Sequence, residues 1–306
     1  MIKKEYLVNA DEENQRLDVF LAERISGISR SQIQRLIDQE KVWVNGHHMR
    51  PSHKLRAGDR VELEYELSPS PAIQPEPISL NIIHKDKHIL VLDKPAGIVI
   101  HPGTGVSRGT LVHGLLHHFP EIAGIGPEER PGIVHRLDKE TSGVMVVAMS
   151  QEAYSSLQHQ FKQRMVKKIY TGLVWGKMPQ KSGKITWSIG RHPKHGERIS
   201  IKTRKPRTAE THYSVEKEWK RFTLLSIRPM TGRTHQIRVH LAAAGHPLVG
   251  DQRYGRRKMK QGCPRLFLHA SSLGFIHPGT EKPVKFSSPL PDDLKGFCDR
   301  IDENSR

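Results

Sequence analysis

Val134-His135-Arg136-Leu137-Asp138-Lys139-Glu140-Thr141-Ser142-Gly143 places one carboxylate two residues after an arginine and just before a Thr-Ser-Gly turn. The apolar run Val144-Met145-Val146-Val147-Ala148 follows directly. The pattern predicts a strand that delivers Asp138 to a tight turn and leaves as a second strand, one way to present a reactive group on a rigid scaffold. A plain hairpin, with Asp and Ser satisfying turn backbone, accounts equally well for the spacing. The rest of the chain has to decide between the two.

At 306 residues the chain is long enough for about two domains with real cores. Its formal charge of +17 points to a polyanionic partner: nucleic acid, a ribosome or an acidic membrane surface. The surplus is local. Residues 151–260 hold 25 Lys and Arg against 6 Asp and Glu, whereas residues 1–66 hold 11 against 12. The polyanion is therefore expected across the later stretch. Cys263 and Cys298 are too few and too far apart for a disulfide framework or a cysteine-based zinc site. No apolar run approaches the roughly 20 residues of a membrane span, and Met1-Ile2-Lys3-Lys4-Glu5 lacks the apolar core of a signal peptide. A soluble cytoplasmic protein with no membrane partner is expected. His113 and His117 stand four apart with His118 beside them, but no glutamate lies between them to complete a zinc-hydrolase motif, so no metal is expected.

Apolar residues at Leu17, Phe20, Leu21 and Ile25 predict a helix over Arg16 to Ile25. Ser29 with Gln32 reads as a capping box opening a second helix with Ile33, Leu36 and Ile37 on one face. Val42-Trp43-Val44 runs into the turn signal Asn45-Gly46, and Arg60 to Tyr65 alternates as a half-buried strand. These elements delimit a small module over residues 14–66. Four prolines between 67 and 77 predict an extended, semi-rigid linker. From 78 to 298 short strands mix with helices over Thr110 to His118, Ser150 to Met165 and Thr234 to Ala244, the last closed by Gly245. Strand-like runs cover Lys168 to Trp175, Ala209 to Lys217 and Phe222 to Arg228. Hairpin-length connections predict an α+β domain with a mainly antiparallel mixed sheet.

The N-terminal pattern resembles the S4 RNA-binding module, through Arg16-Leu17-Asp18, Ser29-Arg30-Ser31, Ile37, the Val42-to-Gly46 turn and Leu55-x-x-Gly58-Asp59. That resemblance implies a small α/β RNA-binding domain and makes Arg30, Arg35 and Lys54 candidate contacts to RNA backbone. The plain alternative is that they coat a solvent face.

Four further motifs resemble those of the RluA-type pseudouridine synthases. They are His135 to Gly143; Gly232-Arg233-Thr234-His235-Gln236-Ile237-Arg238-Val239-His240 with Gly245 to Asp251 after it; Lys168-Ile169-Tyr170; and Lys94-Pro95-Ala96-Gly97. The family often has alanine where this chain has Gly172. The resemblance implies the pseudouridine synthase fold and an enzyme that detaches uracil from ribose, rotates it and rejoins it through C5, without cofactor or metal. It gives Asp138 the catalytic carboxylate, attacking sugar or base, and Arg238 the cation that favours its charged form. Tyr170 would stack on the uracil and is the candidate base for the C5 proton, although an unperturbed phenol is a poor base near neutrality. Arg136 would fill the space left by the flipped uridine, and Ile237 would wall the base. His101-Pro102-Gly103 and Arg191-His192-Pro193 are similar to the RluD-type branch, which implies ribosomal RNA or a large-subunit precursor as partner; a monomer is expected. A tRNA-directed synthase remains an alternative. So does a non-catalytic ribosome-assembly factor, which would have no need of Asp138, Tyr170 and Arg238 together.

Overall fold

The computed structural model describes residues 2–25, 28, 30–65, 73–103, 105–196, 198–255 and 262–303. The Ser29 cap, residues 67–72 of the expected linker and the basic run 256–260 lie outside the described residues. The chain divides into two units, Met1–Ala72 and Ile73–Arg306.

In the first unit β1 (Ile2–Leu7) precedes α1 (Leu17–Arg24), α2 (Arg30–Asp38), β2 (Val42–Val44) and β3 (Arg60–Tyr65). The strands form an antiparallel sheet in the order β1-β3-β2. β1 pairs with β3 along its whole length, so this unit takes in a strand ahead of residue 14. Asn45 and Gly46 have φ of 51° and 77°, the paired left-handed conformation that a two-residue hairpin turn requires. Leu17, Phe20 and Leu21 of α1 and Ile33 and Ile37 of α2 form the core with Val61 and Leu63 of β3.

The second unit runs β4 (Ile82–Lys85), β5 (Ile89–Lys94), α3 (Leu111–His118), β6 (Ser142–Ala148), α4 (Gln151–Lys162), β7 (Lys167–Trp175) and β8 (Ser182–Ile185). It continues through β9 (Gly190–Arg191), β10 (Ile199–Ser200), β11 (Thr211–Glu218), β12 (Phe222–Pro229), α5 (Gln236–Ala243), β13 (Leu268–Ile276), β14 (Pro283–Ser287) and α6 (Asp292–Glu303). Nine strands form one sheet in the order β4-β5-β6-β13-β7-β12-β11-β8, with β14 on β13. Every pairing is antiparallel except β6 with β13. β9 and β10 make a separate small hairpin.

All seven residues of β6 are buried, packed in one core with β5, α3 and α4, which is why its sequence is a continuous apolar run. Gly143 sits where β6 meets β13, with φ of 117°; a Cβ there would lie 2.3 Å from the Ala270 carbonyl oxygen. Only glycine allows that approach. Gly172, the departure from the family pattern, also has a use: a Cβ would press within 2.8 Å of Ile227 Cδ1 and 3.0 Å of Leu248 Cδ2. Ser150 caps α4, its hydroxyl accepting the Ala153 N–H at 3.1 Å. Residues 73–77 are docked on this unit rather than free. Ile73 packs on the β5–β6 core, and Glu76 donates its N–H to the His113 carbonyl while its carboxylate takes Arg108 Nε at 3.3 Å.

Two expectations about local structure need correction. The segment before Asp138 is not a strand: beyond the single bridge of Ile133 to Val147 it is irregular. His135 Nε2 accepts the Val146 N–H at 3.0 Å, so a side chain occupies the place where a strand partner's carbonyl would stand. Helix α5 begins at Gln236, not Thr234, because His235 is left-handed, with φ 54° and ψ 19°. Its C-terminus is as expected. Gly245 (φ 90°) donates to the Ala242 carbonyl and His246 to that of Leu241, the two bonds of a Schellman end.

Candidate active site

A cavity of about 470 Å³ opens where the irregular Val134–Asp138 segment meets β7 and the start of α5. That volume is in the range for a nucleoside-sized ligand. Asp138, Tyr170 and Arg238 all line it, with Arg136 and Ile237. Arg30, Arg35 and Lys54 belong to the other unit.

Asp138 is held from behind. Lys94 is fully buried and donates from Nζ to the carbonyls of Pro95 (2.8 Å), Ile98 (3.0 Å) and Lys139 (3.3 Å). The Gly97 N–H donates to the same Lys139 carbonyl at 2.8 Å. The Lys-Pro-Ala-Gly motif is thus a clamp on the chain one residue past Asp138. Burial brings the Lys94 ammonium down to about 8. On the other side, His135 stacks on Phe161 with ring centres 4.6 Å apart, and burial drops its imidazole to about 3. It is a neutral acceptor that shapes the segment, not an acid or base.

Arg238 arrives on α5, which is bolted to β11. Gln236 donates from Nε2 to the Glu210 carbonyl (2.9 Å) and Thr211 Oγ1 (3.0 Å). Its Oε1 accepts from the Thr231 hydroxyl and the Arg233 N–H. His240 adds bonds to Thr211 Oγ1 and to the Trp187 carbonyl. All four hydrogen-bonding positions of Gln236 are therefore satisfied, which fixes how Arg238, two residues on, is aimed. Arg238 gives Nε and one terminal nitrogen to Asp251, at 2.8 and 2.9 Å. Its remaining nitrogen stands 3.3 Å from Asp138 Oδ2. Burial works against the guanidinium charge, but the bonds to Asp251 and the attraction of both carboxylates hold it above its usual range.

Tyr170 lies on β7, with Lys168 on the same face of the strand. Burial, and then the Asp138 charge, push the phenol above its ordinary range, so it is protonated at neutral pH. That favours the ring as a stacking surface and works against the phenol as a base. Burial also lowers the Lys168 ammonium, with Arg164 adding to it. Ile237 is almost fully buried at the cavity wall, and Arg136 is exposed at its mouth.

In the N-terminal unit, Arg30 is tied up. It donates to Asp18 Oδ2 at 3.2 and 2.9 Å, while Arg16 takes the same carboxylate at 2.9 and 3.0 Å. Asp18 is fully buried, so the arginines neutralise a carboxylate inside the module. Arg35 and Lys54 are exposed.

The basic cluster falls on and after the β9–β10 hairpin, where Arg191, Lys194, Arg198, Lys202, Arg204, Lys205 and Arg207 are all exposed. Among the described residues one group is close enough to share an ion: His84, Asp86 and His277. His277 Nδ1 accepts the N–H groups of Gly279 and Thr280, which puts its proton on Nε2, 2.9 Å from Asp86. A ring in that tautomer donates to the carboxylate and does not ligate a metal through Nε2.

Three residues at the centre had no role in the sequence reading: Asp251, His235 and Tyr254. Asp251 and His235 lay inside quoted motifs, yet nothing in their spacing says which groups they face.

A family model described as RNA pseudouridylate synthase matches residues 88–243, a span that includes Asp138, Tyr170 and Arg238. The chain belongs to that family. A model described as the S4 domain matches residues 15–61. Among curated relatives, an RNA pseudouridine synthase of Aquifex aeolicus (strain VF5) is 42% identical over 98% of both chains. Ribosomal large subunit pseudouridine synthase D of Nitrosomonas europaea is 40% identical over 94% of this chain and 84% of its own. Among solved structures, human RNA pseudouridylate synthase domain containing 1 aligns with TM-score 0.58 at 28% identity, covering 74% of this chain and 97% of the human one. The protein is accordingly a pseudouridine synthase with an S4 domain, of mixed α/β architecture around a mostly antiparallel sheet. No helix among the described residues is long and apolar enough to cross a membrane.

Proposed function

We propose that this pseudouridine synthase isomerises uridines of large-subunit ribosomal RNA, with Asp138 as the carboxylate that acts on the nucleotide. The observation that carries the chemistry is Asp138 Oδ2 3.3 Å from a guanidinium that Asp251 holds by two bonds, in a cavity shared with the Tyr170 ring. A uridine in folded RNA must leave its stack to reach such a cavity. Arg136, exposed at the mouth, fills the vacated place or grips the neighbouring phosphate. Tyr170 stacks on the extruded base and Ile237 supports it. The reaction is an isomerisation, so atoms balance without a co-reactant: the N1 glycosidic bond breaks, a C1′–C5 bond forms, and the C5 proton is lost while N1 gains one.

The exposed basic hairpin is the proposed grip on the RNA stem, neutralising phosphates and releasing counterions. Arg35 and Lys54 of the S4 domain are proposed as further backbone contacts; Arg30 is the weaker candidate because its guanidinium already serves Asp18. The ribosomal assignment is favoured by relatives named as large-subunit synthases that align along nearly the whole chain. The test is a pseudouridine map of rRNA and tRNA from cells with the wild-type gene, a deletion, or Asp138→Asn. Loss of the same rRNA sites in both mutants is expected. Losses confined to tRNA would reassign the substrate, and an Asp138→Asn map equal to wild type would remove Asp138 from the chemistry.

A further inference from the structure

Asp138 Oδ2 has a second neighbour besides Arg238: His235 Nε2, 3.8 Å away. The other ring nitrogen of His235, Nδ1, lies 2.8 Å from the Tyr254 hydroxyl. That hydroxyl accepts the N–H of Ile199, at 3.1 Å, from the β9–β10 hairpin. With an amide proton already arriving at its oxygen, the arrangement that leaves no group unpaired has Tyr254 donating to His235 Nδ1. An imidazole that accepts at Nδ1 carries its proton on Nε2, the nitrogen facing Asp138. Tyr254 reaches Arg238 and its partner Asp251 as well. Its N–H donates to Asp251 Oδ1 at 3.0 Å, and the Arg238 guanidinium carbon stands 5.1 Å from its ring centre.

His235 is also strained. An L-residue with φ 54° and ψ 19° stands in the left-handed region, and such residues persist where the surroundings over-determine them. Here the four bonds of Gln236 do so.

We propose that Tyr254 and His235 are positioning residues for the catalytic carboxylate. Tyr254 fixes His235 as the tautomer whose Nε2–H faces Asp138, and through the Ile199 amide it ties that donor to the basic hairpin that meets RNA. The proposal rests on the reading of Asp138 as the catalytic carboxylate. The charged and titratable groups facing His235 are Asp138 and Asp251, Arg238 and Arg253, and the Tyr254 phenol. Burial lowers the imidazole against the pull of Asp138, so it works as a neutral donor.

The test uses the full chain, with total RNA from cells lacking the gene as substrate, under single turnover with enzyme saturating. Tyr254→Phe keeps the ring under Arg238 and removes only the hydroxyl. It is expected to slow pseudouridine formation about tenfold while RNA affinity stays within about twofold, because one second-layer hydrogen bond to an oriented imidazole is lost. It should also add an acidic limb to the rate, since a released Nδ1 is free to take a proton. His235→Gln presents an amide N–H without tautomers, so it should retain more activity than His235→Ala and show no such limb. The double variant Tyr254→Phe/His235→Gln should match His235→Gln alone. A wild-type rate and pH profile for Tyr254→Phe would overturn the proposal, as would a loss confined to RNA affinity or effects that multiply in the double variant. Asp138→Asn runs alongside. Wild-type turnover in that variant would sink the underlying reading, whereas inactive Asp138→Asn beside unaffected Tyr254→Phe would sink only the present one.

Discussion

Asp251 holds Arg238 by two bonds of 2.8 and 2.9 Å, and Asp138 receives only the third guanidinium nitrogen, at 3.3 Å. The tighter partner is the residue that does not line the cavity. Asp251 is itself fixed by the N–H groups of Arg253 and Tyr254 on Oδ1. The cation beside Asp138 is therefore supplied at a set position and cannot swing into a full two-bond pair with it. Asp251→Asn should free it to do so. Turnover is expected to fall on the order of 100-fold with RNA affinity retained, the scale of a mispositioned group near the chemistry. Single-turnover rates and RNA binding, measured side by side, check this.

The close approach of β6 to β13 makes Gly143 intolerant of any side chain. Gly143→Ala would drive a Cβ to within 2.3 Å of the Ala270 carbonyl oxygen and to 2.6 Å of its nitrogen, at φ 117°. The parallel pairing that sets Asp138 at the end of the sheet would open. A loss of stability above about 3 kcal/mol is expected, read by thermal or urea denaturation.

Asp18 makes the N-terminal unit acid-sensitive. Although burial opposes its charge, Arg16, Gln34 and Arg30 hold its carboxyl well below the usual range. A folded pKa below the unfolded value means that the unfolded chain binds the extra proton. The stabilisation is then fully present above about pH 3.9 and is lost as pH falls toward the folded value. Asp18→Asn should cost about 2 kcal/mol near neutrality, and the gap to wild type should close as the pH drops below 4. Urea melts of the two proteins across that range decide it.

The cations on and just after the β9–β10 hairpin are exposed, so they should contribute to RNA affinity rather than to stability. Replacing Arg204 and Lys205 by alanine is expected to leave the melting temperature near wild type. It should weaken RNA binding and flatten the dependence of log affinity on log salt by about one unit for each phosphate that the variant no longer neutralises. An unchanged salt slope would take these two residues out of the interface.

Much of this was legible beforehand for local reasons. The 3.6-residue apolar spacing marked α1, the alternation of Arg60 to Tyr65 marked β3, and Gly245 marked the end of α5, because such signals sit within a few residues of the structure they describe. Where side chains overrule the backbone pattern, the reading slipped. His135 accepts a β6 amide where a strand was expected, and left-handed His235 delays α5 by two residues. Arg30 looked like a free surface cation because nothing nearby in sequence announces that Asp18, twelve residues earlier, is buried against it.

By itself the sequence determined the class of enzyme, the two-part organisation, and Asp138, Tyr170 and Arg238 as the residues to watch, since these rest on contiguous motifs. Only the tertiary structure decided how the carboxylate is held. Lys94 anchors the backbone beside it, Asp251 takes two of the three nitrogens of Arg238, and His235, bonded to Tyr254, stands 3.8 Å from it. Such clamps depend on hydrogen-bond directions, and on distances set to within a few tenths of an ångström, between segments up to 100 residues apart. No periodicity within either segment encodes those.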